Sequence, residues 1–307
     1  MDHELTAAAV FKAAPYGLRT KVELAAAGLG PAAVASMVRR GTLTRVTAGY
    51  FALGAPTPAP VDRLVRLGRA LEGRYGGRAV ISHHVALAAA GLPLFELPLD
   101  SAHLTYRRGG CYRARRDHVV HAAPVGADIV TTEALPIAEA LVQCLAMSGE
   151  KAFVVAGDAA LRRGLATREV LAALADQRRH AKYHALLSRA VARLDGRSES
   201  PGESLTRLAV SDLGHCLTSQ VDVVANGRHY RLDLVIEGTR VAIEFDGVGK
   251  YGTTADLRAE KAREEDLRVA GWIVVRFQWG DLFRPEELKR RIDWGLAMDR
   301  RMRAVGC

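Results

Sequence analysis

The segment 219–247, SQVDVVANGRHYRLDLVIEGTRVAIEFDG, constrains this chain more than any other. Asn226-Gly227 lies between two alternating runs, and a two-residue hairpin turn with positive φ at both central positions favours that dipeptide. A hairpin centred there sets Val224 against His229, Val223 against Tyr230 and Asp222 against Arg231. Glu237-Gly238 predicts a second two-residue turn, with Ile236 facing Thr239, Leu234 facing Val241 and Asp233 facing Ala242. Side chains alternate along a strand. One face therefore collects Val221, Val223, Tyr230, Leu232, Leu234, Ile236, Val241, Ile243 and Phe245, and must be buried. The other collects Asp222, Arg231, Asp233, Glu244 and Asp246. Both turns give the same division, so the register is well specified.

This register gathers acids. Glu244 is diagonal to Asp233, at ~7–8 Å across a hairpin, and Asp246 follows on the same face. Carboxylates that close repel unless a cation lies between them, and oxygen ligands suit Mg²⁺ or Mn²⁺. Such an ion would activate water and stabilise charge on a phosphodiester. The alternative is a solvated face on which Arg231 pairs with Asp222 or Glu244. Downstream, DLRAEKAREEDLRVAG predicts a charged helix over 255–269 ending at Gly271, with Lys261 and Glu265 spaced to pair. WIVVRFQW predicts a buried strand, and PEELKRRIDWGLAMDRR a last helix. Helix, meander, helix, strand, helix is an α/β layer with a mixed sheet.

Upstream, residues 1–55 predict a winged helix-turn-helix. A helix over 5–13 precedes TKVELAAAG, where Thr20 and Glu23 have the spacing of a capping box. Pro31 suits the first turn of PAAVASMVRR, which stops at Gly41. The pieces LTRV and GYFAL, joined at Thr47-Ala48, would form the wing. Arg39, Arg40 and Arg45 would then meet phosphates of duplex DNA. Residues 56–196 predict a mostly helical middle region, with helices near 61–74, 81–91, 132–147, 150–163, 167–176 and 180–194 and strands near 102–107, 117–122 and 128–132. The loop RRGGCYRARRDH carries Arg113, Arg115 and Arg116 beside Tyr112, and is either a nucleic-acid grip or a solvated turn. His83 and His84 read as packing or surface residues, because no His or Cys at ligand spacing accompanies them.

The charge distribution agrees with a polyanion-binding front. The chain of 307 residues carries +9, and residues 201–307 hold 17 basic and 17 acidic side chains, so the whole excess lies upstream. No run reaches the ~18–20 uncharged apolar residues of a membrane span, and no secretory leader pattern is expected at the N-terminus. Cys111, Cys144, Cys216 and Cys307 are scattered without a C-x-x-C pair, which fits a reducing cytoplasm.

Asp233 followed by Glu244 on the next strand resembles the PD-(D/E)xK nuclease pattern. The string EFDGVGKYG…AEKAREEDLRVAGWIVVRFQWGDL is similar to the endonuclease-domain family related to very-short-patch-repair enzymes. The N-terminal unit with VISHHVALAAAGLPL resembles AbiEi-type antitoxin and regulator proteins more loosely. The first resemblance implies a restriction-endonuclease-like α/β domain over 197–307, with Asp233 and Glu244 as Mg²⁺ ligands beside the Phe245 carbonyl. It also implies a helix carboxylate at Glu203, although Ser200-Pro201-Gly202-Glu203 is equally a helix cap. The pattern wants a lysine two residues after the second acid, where this chain has Asp246. Lys250 would take that role only if the chain turns at Gly247–Gly249; otherwise it is a surface lysine. The expected protein is a cytoplasmic, Mg²⁺-dependent endonuclease on double-stranded DNA. RNA stays open as a substrate, as does assembly into a homodimer. The second resemblance implies the alternative, a non-catalytic DNA-binding regulator.

Overall fold

The computed structural model describes residues 3–57, 59–123, 136–247 and 254–305. The chain mixes helix and sheet, as expected, and divides into two compact units, 1–147 and 148–307. That division falls inside the segment read as a middle region.

The first unit opens with α1 (His3–Phe11), a 3₁₀ turn, β1 (Leu18–Thr20), α2 (Lys21–Ala26), α3 (Pro31–Arg39), β2 (Leu43–Thr47) and β3 (Tyr50–Leu53). The Thr20 hydroxyl accepts the Glu23 amide while the Glu23 carboxylate accepts the Thr20 amide, closing the predicted capping box. The strands form an antiparallel sheet in the order β1-β3-β2. The hairpin turns at Ala48-Gly49, one residue later than expected, because Gly49 supplies the positive φ of 82°. Phe11, Leu24, Met37, Leu43 and Phe51 close the core beneath.

There follow α4 (Pro60–Arg74), β4 (Ala79–Ile81), α5 (His83–Ala89), β5 (Ala102–Tyr106), β6 (Arg113–Ala114) and β7 (His118–His121). These strands form a sheet in the order β4-β5-β7-β6, with β5 and β7 parallel. Two of these strands, β5 and β7, are those expected near 102–107 and 117–122, and β4 and β6 are additions to them. β4 has three residues and β6 two, too few to show a period-two pattern. The strand expected at 128–132 lies outside the described residues.

The helix α6 (Ile137–Arg162) covers two expected helices, and Gly149 (φ 81°, ψ −169°) breaks its helical geometry beside the unit boundary. Among the described helices α6 alone has the length and hydropathy to cross a membrane, and its most apolar window is 61% buried in the fold. In the second unit α7 (Arg168–Gln177), α8 (His184–Ala192) and α9 (Pro201–Asp212) follow. Fully buried Asp158 ties this unit together, accepting from the Asp195 amide, the Ser204 hydroxyl and the Arg207 guanidinium at 2.6–2.7 Å.

The second unit ends in β8 (Leu217–Ala225), β9 (Arg228–Ile236), β10 (Val241–Phe245), α10 (Thr254–Val269), β11 (Ile273–Phe277) and α11 (Pro285–Val305). Its sheet runs β11-β10-β9-β8; β10 and β11 are parallel and the other pairs antiparallel. The Asn226-Gly227 hairpin has the predicted register, including Asp222 opposite Arg231. The second turn differs: Ile243 pairs with Leu234, two places from the expected partner. Thr239 explains the longer turn, because its hydroxyl donates to the Ile236 carbonyl and accepts the Val241 amide. A shift of two preserves which residues share a face.

The single apolar face is also corrected. Leu234, Ile236, Val241 and Ile243 pack with Val210, Leu288 and Ile292, whereas Leu232, Val221, Val223 and Tyr230 pack with Leu267 of α10 and Trp272. Leu232 and Leu234 have the same parity yet enter different cores. Opposite the position between them β8 carries Gln220 at φ 54°, outside strand geometry, with the pairing register unchanged on either side. At the sheet edge of α9, Gly202 lies against the Phe245 ring, and a Cβ there would come within 2.0 Å of it. Phe245 cannot yield easily, since it is buried and packs in a T-shaped pair with Trp279 at a centroid distance of 5.2 Å.

Candidate functional site

The acidic site forms where β9 and β10 part. Their pairing covers Ala242 and Ile243, and the Phe245 amide beyond it donates to the Asp233 carboxylate at 3.1 Å. Continuing the observed registers sets Glu244 opposite Asp233, not diagonal to it, and Gln220 opposite Asp233 on the other side. The two-place shift thus puts the two predicted ligands at opposite instead of diagonal strand positions.

Glu244 is 5% exposed and does not face water. Arg263 of α10 grips both its oxygens, one at 2.9 Å, and Arg276 of β11 reaches it at 3.5 Å. Parallel pairing places Arg276 directly beside Glu244. Arg276 also bonds Glu260 and Glu264 and lies 3.8 Å from Asp246. Five carboxylates, Asp233, Glu244, Asp246, Glu260 and Glu264, therefore surround two guanidinium groups. Hydrogen bonding to Glu244 holds the Arg263 pKa far above its ordinary value. That of Arg276 is raised too, with burial opposed by Glu264 and its acidic neighbours. Arg231 pairs with Glu199, not with Asp222 or Glu244. Glu265 bonds Arg268 in place of the expected Lys261.

Glu203 is where the capping reading puts it. Its carboxylate accepts the Ser200 hydroxyl, the Glu199 amide and the Gln220 side-chain amide at 2.8–2.9 Å. Gln220 links it to the strand position opposite Asp233, so Glu203 adjoins the site through another side chain. Lys250 lies outside the described residues.

The predicted nucleic-acid residues are all exposed. Arg39 and Arg40 end α3, with Arg40 3.9 Å from Glu4, and the Arg45 guanidinium lies 5.8 Å from the Phe51 ring centre. Arg113, Arg115 and Arg116 occupy β6 and the turn after it. The outward residues of α3 include Pro31, Ala32 and Ala35, so its basic side chains are confined to its C-terminal end.

A second cluster was not foreseen. His83 and His84 are buried, but not as isolated packing residues. His83 stacks on His121 at 4.1 Å, and His103 stands 5.0 Å from each of them. Burial, then the neighbouring imidazoles, holds His83 well below its ordinary pKa; burial takes His103 to about 3 and His84 to about 4, and lowers His121. In all four, burial favours the neutral ring. Only topology unites them: His103 and His121 lie on parallel strands two places out of register, on one face.

No protein-family model matches the sequence, and no curated protein matches it either.

Proposed function

We propose that this protein acts on nucleic-acid phosphodiester bonds, with an N-terminal winged helix-turn-helix that engages duplex DNA and a restriction-endonuclease-like C-terminal domain. The observation that carries this reading is the fork between β9 and β10, which sets Asp233 against Glu244 amid an excess of carboxylates. The order α9-β8-β9-β10-α10-β11, with the last two strands parallel, supports it.

The donor set suits a hard divalent cation, being all oxygen and more negative than its two arginines offset. Arg263 stands on Glu244 as a cationic substitute. Asp233 and Glu244 would hold Mg²⁺ or Mn²⁺, which when bound supplies Lewis acidity at a phosphoryl oxygen. Arg263, freed from Glu244, would be placed to bind a phosphate through its planar fork. Arg276 stays with Glu260 and Glu264 and keeps Glu244 oriented. Exposed Arg39, Arg40 and Arg45 would hold the duplex by its phosphates.

The test is nicking of supercoiled plasmid by wild type, Asp233→Ala and Glu244→Ala, with Mg²⁺, Mn²⁺ or EDTA. Nicking that needs the metal and both carboxylates is expected. Sequence-specific duplex binding that persists in EDTA, without nicking of DNA or cleavage of RNA, would replace this reading with that of a non-catalytic regulator. The grip of Arg263 on Glu244 is the feature that favours that second reading.

A further inference from the structure

We infer that His83, His103 and His121 form a binding site for one borderline divalent cation of the zinc type, separate from the acidic site. The three residues come from three places in the first unit: the start of α5, β5 and the end of β7. Each offers one ring nitrogen, and these atoms all lie within 4.8 Å of one another. Among the described residues no other three His, Cys, Asp or Glu side chains converge in this way.

One pair has the spacing of tetrahedral coordination, and the His83 ring, stacked on His121 with 29° between their planes, would rotate to bring its free nitrogen to a shared ion. His103 Nδ1 and His121 Nε2 are 3.2 Å apart. Two ligand nitrogens at about 2.0–2.1 Å from a tetrahedral zinc stand roughly 3.3–3.4 Å from each other. One hydrogen bond now spans that gap; a cation would take its place when the donor imidazole carries that proton on its other ring nitrogen and both rings tilt their lone pairs toward the ion. His83 Nδ1 is engaged by the Ser82 hydroxyl at 2.9 Å, which leaves Nε2 for a ligand. Fixing the outer nitrogen is how metal-binding histidines are usually oriented.

Two further observations point the same way. His83 is a non-glycine residue at φ 49°, and its amide is held there by the Gln143 side chain at 3.1 Å. Strained backbone of this kind persists where its surroundings over-determine it, often around a bound ligand. His84, fully buried, gives Nε2 to the Ser101 carbonyl, and its Nδ1 has no hydrogen-bond partner. Its ring lies 4.9 Å from that of His103, so an unmet polar atom sits beside the cluster. Buried polar atoms without partners mark places where water or an ion belongs.

The donor chemistry selects the cation. Neutral imidazole suits zinc, cobalt, nickel and copper and is a poor ligand for Mg²⁺, which prefers oxygen. Three protein ligands leave a fourth position, and the Tyr112 ring, on the loop just before β6, lies 5.6 Å from that of His121. A bound ion would clamp the β4–α5 junction to β5 and β7.

The test uses the untagged full chain, stripped with chelator and exchanged into buffer, then titrated with zinc chloride by calorimetry. One zinc per chain is expected, with a rise in thermal midpoint. His103→Asn and His121→Asn should each weaken binding by more than roughly tenfold, and Ser82→Ala by about ten- to a hundredfold through the outer nitrogen. Asp233→Ala/Glu244→Ala should bind zinc like wild type. Because a histidine variant can misfold, zinc-edge X-ray absorption of loaded wild type gives a second readout, with three nitrogen ligands expected. No one-to-one uptake, unchanged affinity in folded His121→Asn, or an all-oxygen shell would overturn the site.

Discussion

Replacing Arg263 with alanine separates what the acidic site does for the fold from what it does for a metal. The Arg263 side chain is 20% exposed and that of Glu244 7%, so water screens the pair weakly. Two charge-assisted bonds are lost, each worth about 1.5–3 kcal/mol and not additive. Arg276 remains as a partner of Glu244, which reduces the cost. The expected loss of stability in EDTA is about 2–3 kcal/mol, measured by urea unfolding. Any cation entering between Asp233 and Glu244 in wild type must first displace Arg263. Without the guanidinium that work disappears, so Mg²⁺ should bind more tightly by the same free energy, roughly thirty- to 150-fold. Calorimetric Mg²⁺ titration of both proteins measures this. A folded Arg263→Ala protein whose Mg²⁺ affinity is unchanged or weaker would refute the displacement argument.

Other perturbations test other parts of the chain. Asp158→Ala strands the buried Arg207 charge and should cost about 3–5 kcal/mol in urea unfolding, while Asp158→Leu with Arg207→Met should cost far less. Thr20→Ala should cost about 1 kcal/mol of thermal stability through the lost cap. The Thr20 amide holds the Glu23 pKa below its ordinary 4.5, so the stability it contributes is present above that value and is lost as pH falls through the lowered one. Glu23→Gln should flatten the pH dependence of unfolding in that acidic range. Arg39→Ala/Arg40→Ala should weaken duplex binding, and each lost phosphate contact should shrink the log-affinity against log-salt slope by about 0.9, read by fluorescence anisotropy.

Legibility in the sequence followed the strength of the local rule. Asn226-Gly227 admits few turns, and its hairpin register was read correctly to the residue. Glu237-Gly238 is weaker, and the Thr239 hydroxyl drew two more residues into that turn. Faces were foreseen where alternation held and missed where Gln220 adopts positive φ, since glutamine gives no warning of it. Asp233 and Glu244 were visible as a pair, but the arginines that hold Glu244 were not. Arg263 is hidden among the charges of α10. Arg276 was readable in principle, because a lone charge in WIVVRFQW must find a partner when that strand is buried. The histidines are spread over 83–121 with no metal-site spacing, and only strand pairing brings them together.

The Phe245 ring against Gly202 bears on which sequences this site can sample. Alanine normally replaces a helical glycine with a gain of about 1 kcal/mol, but at position 202 even a methyl group would meet that ring at 2.0 Å. Phe245 lies between Glu244 and Asp246, so the displacement would reach both carboxylates. In a saturation library, position 202 should behave like a site residue although it carries no side chain. Exposed helical positions without an assigned role, such as Ala172 and Ala173 of α7, should accept most replacements. An enlarged residue at 202 should be recovered only with a smaller one at 245.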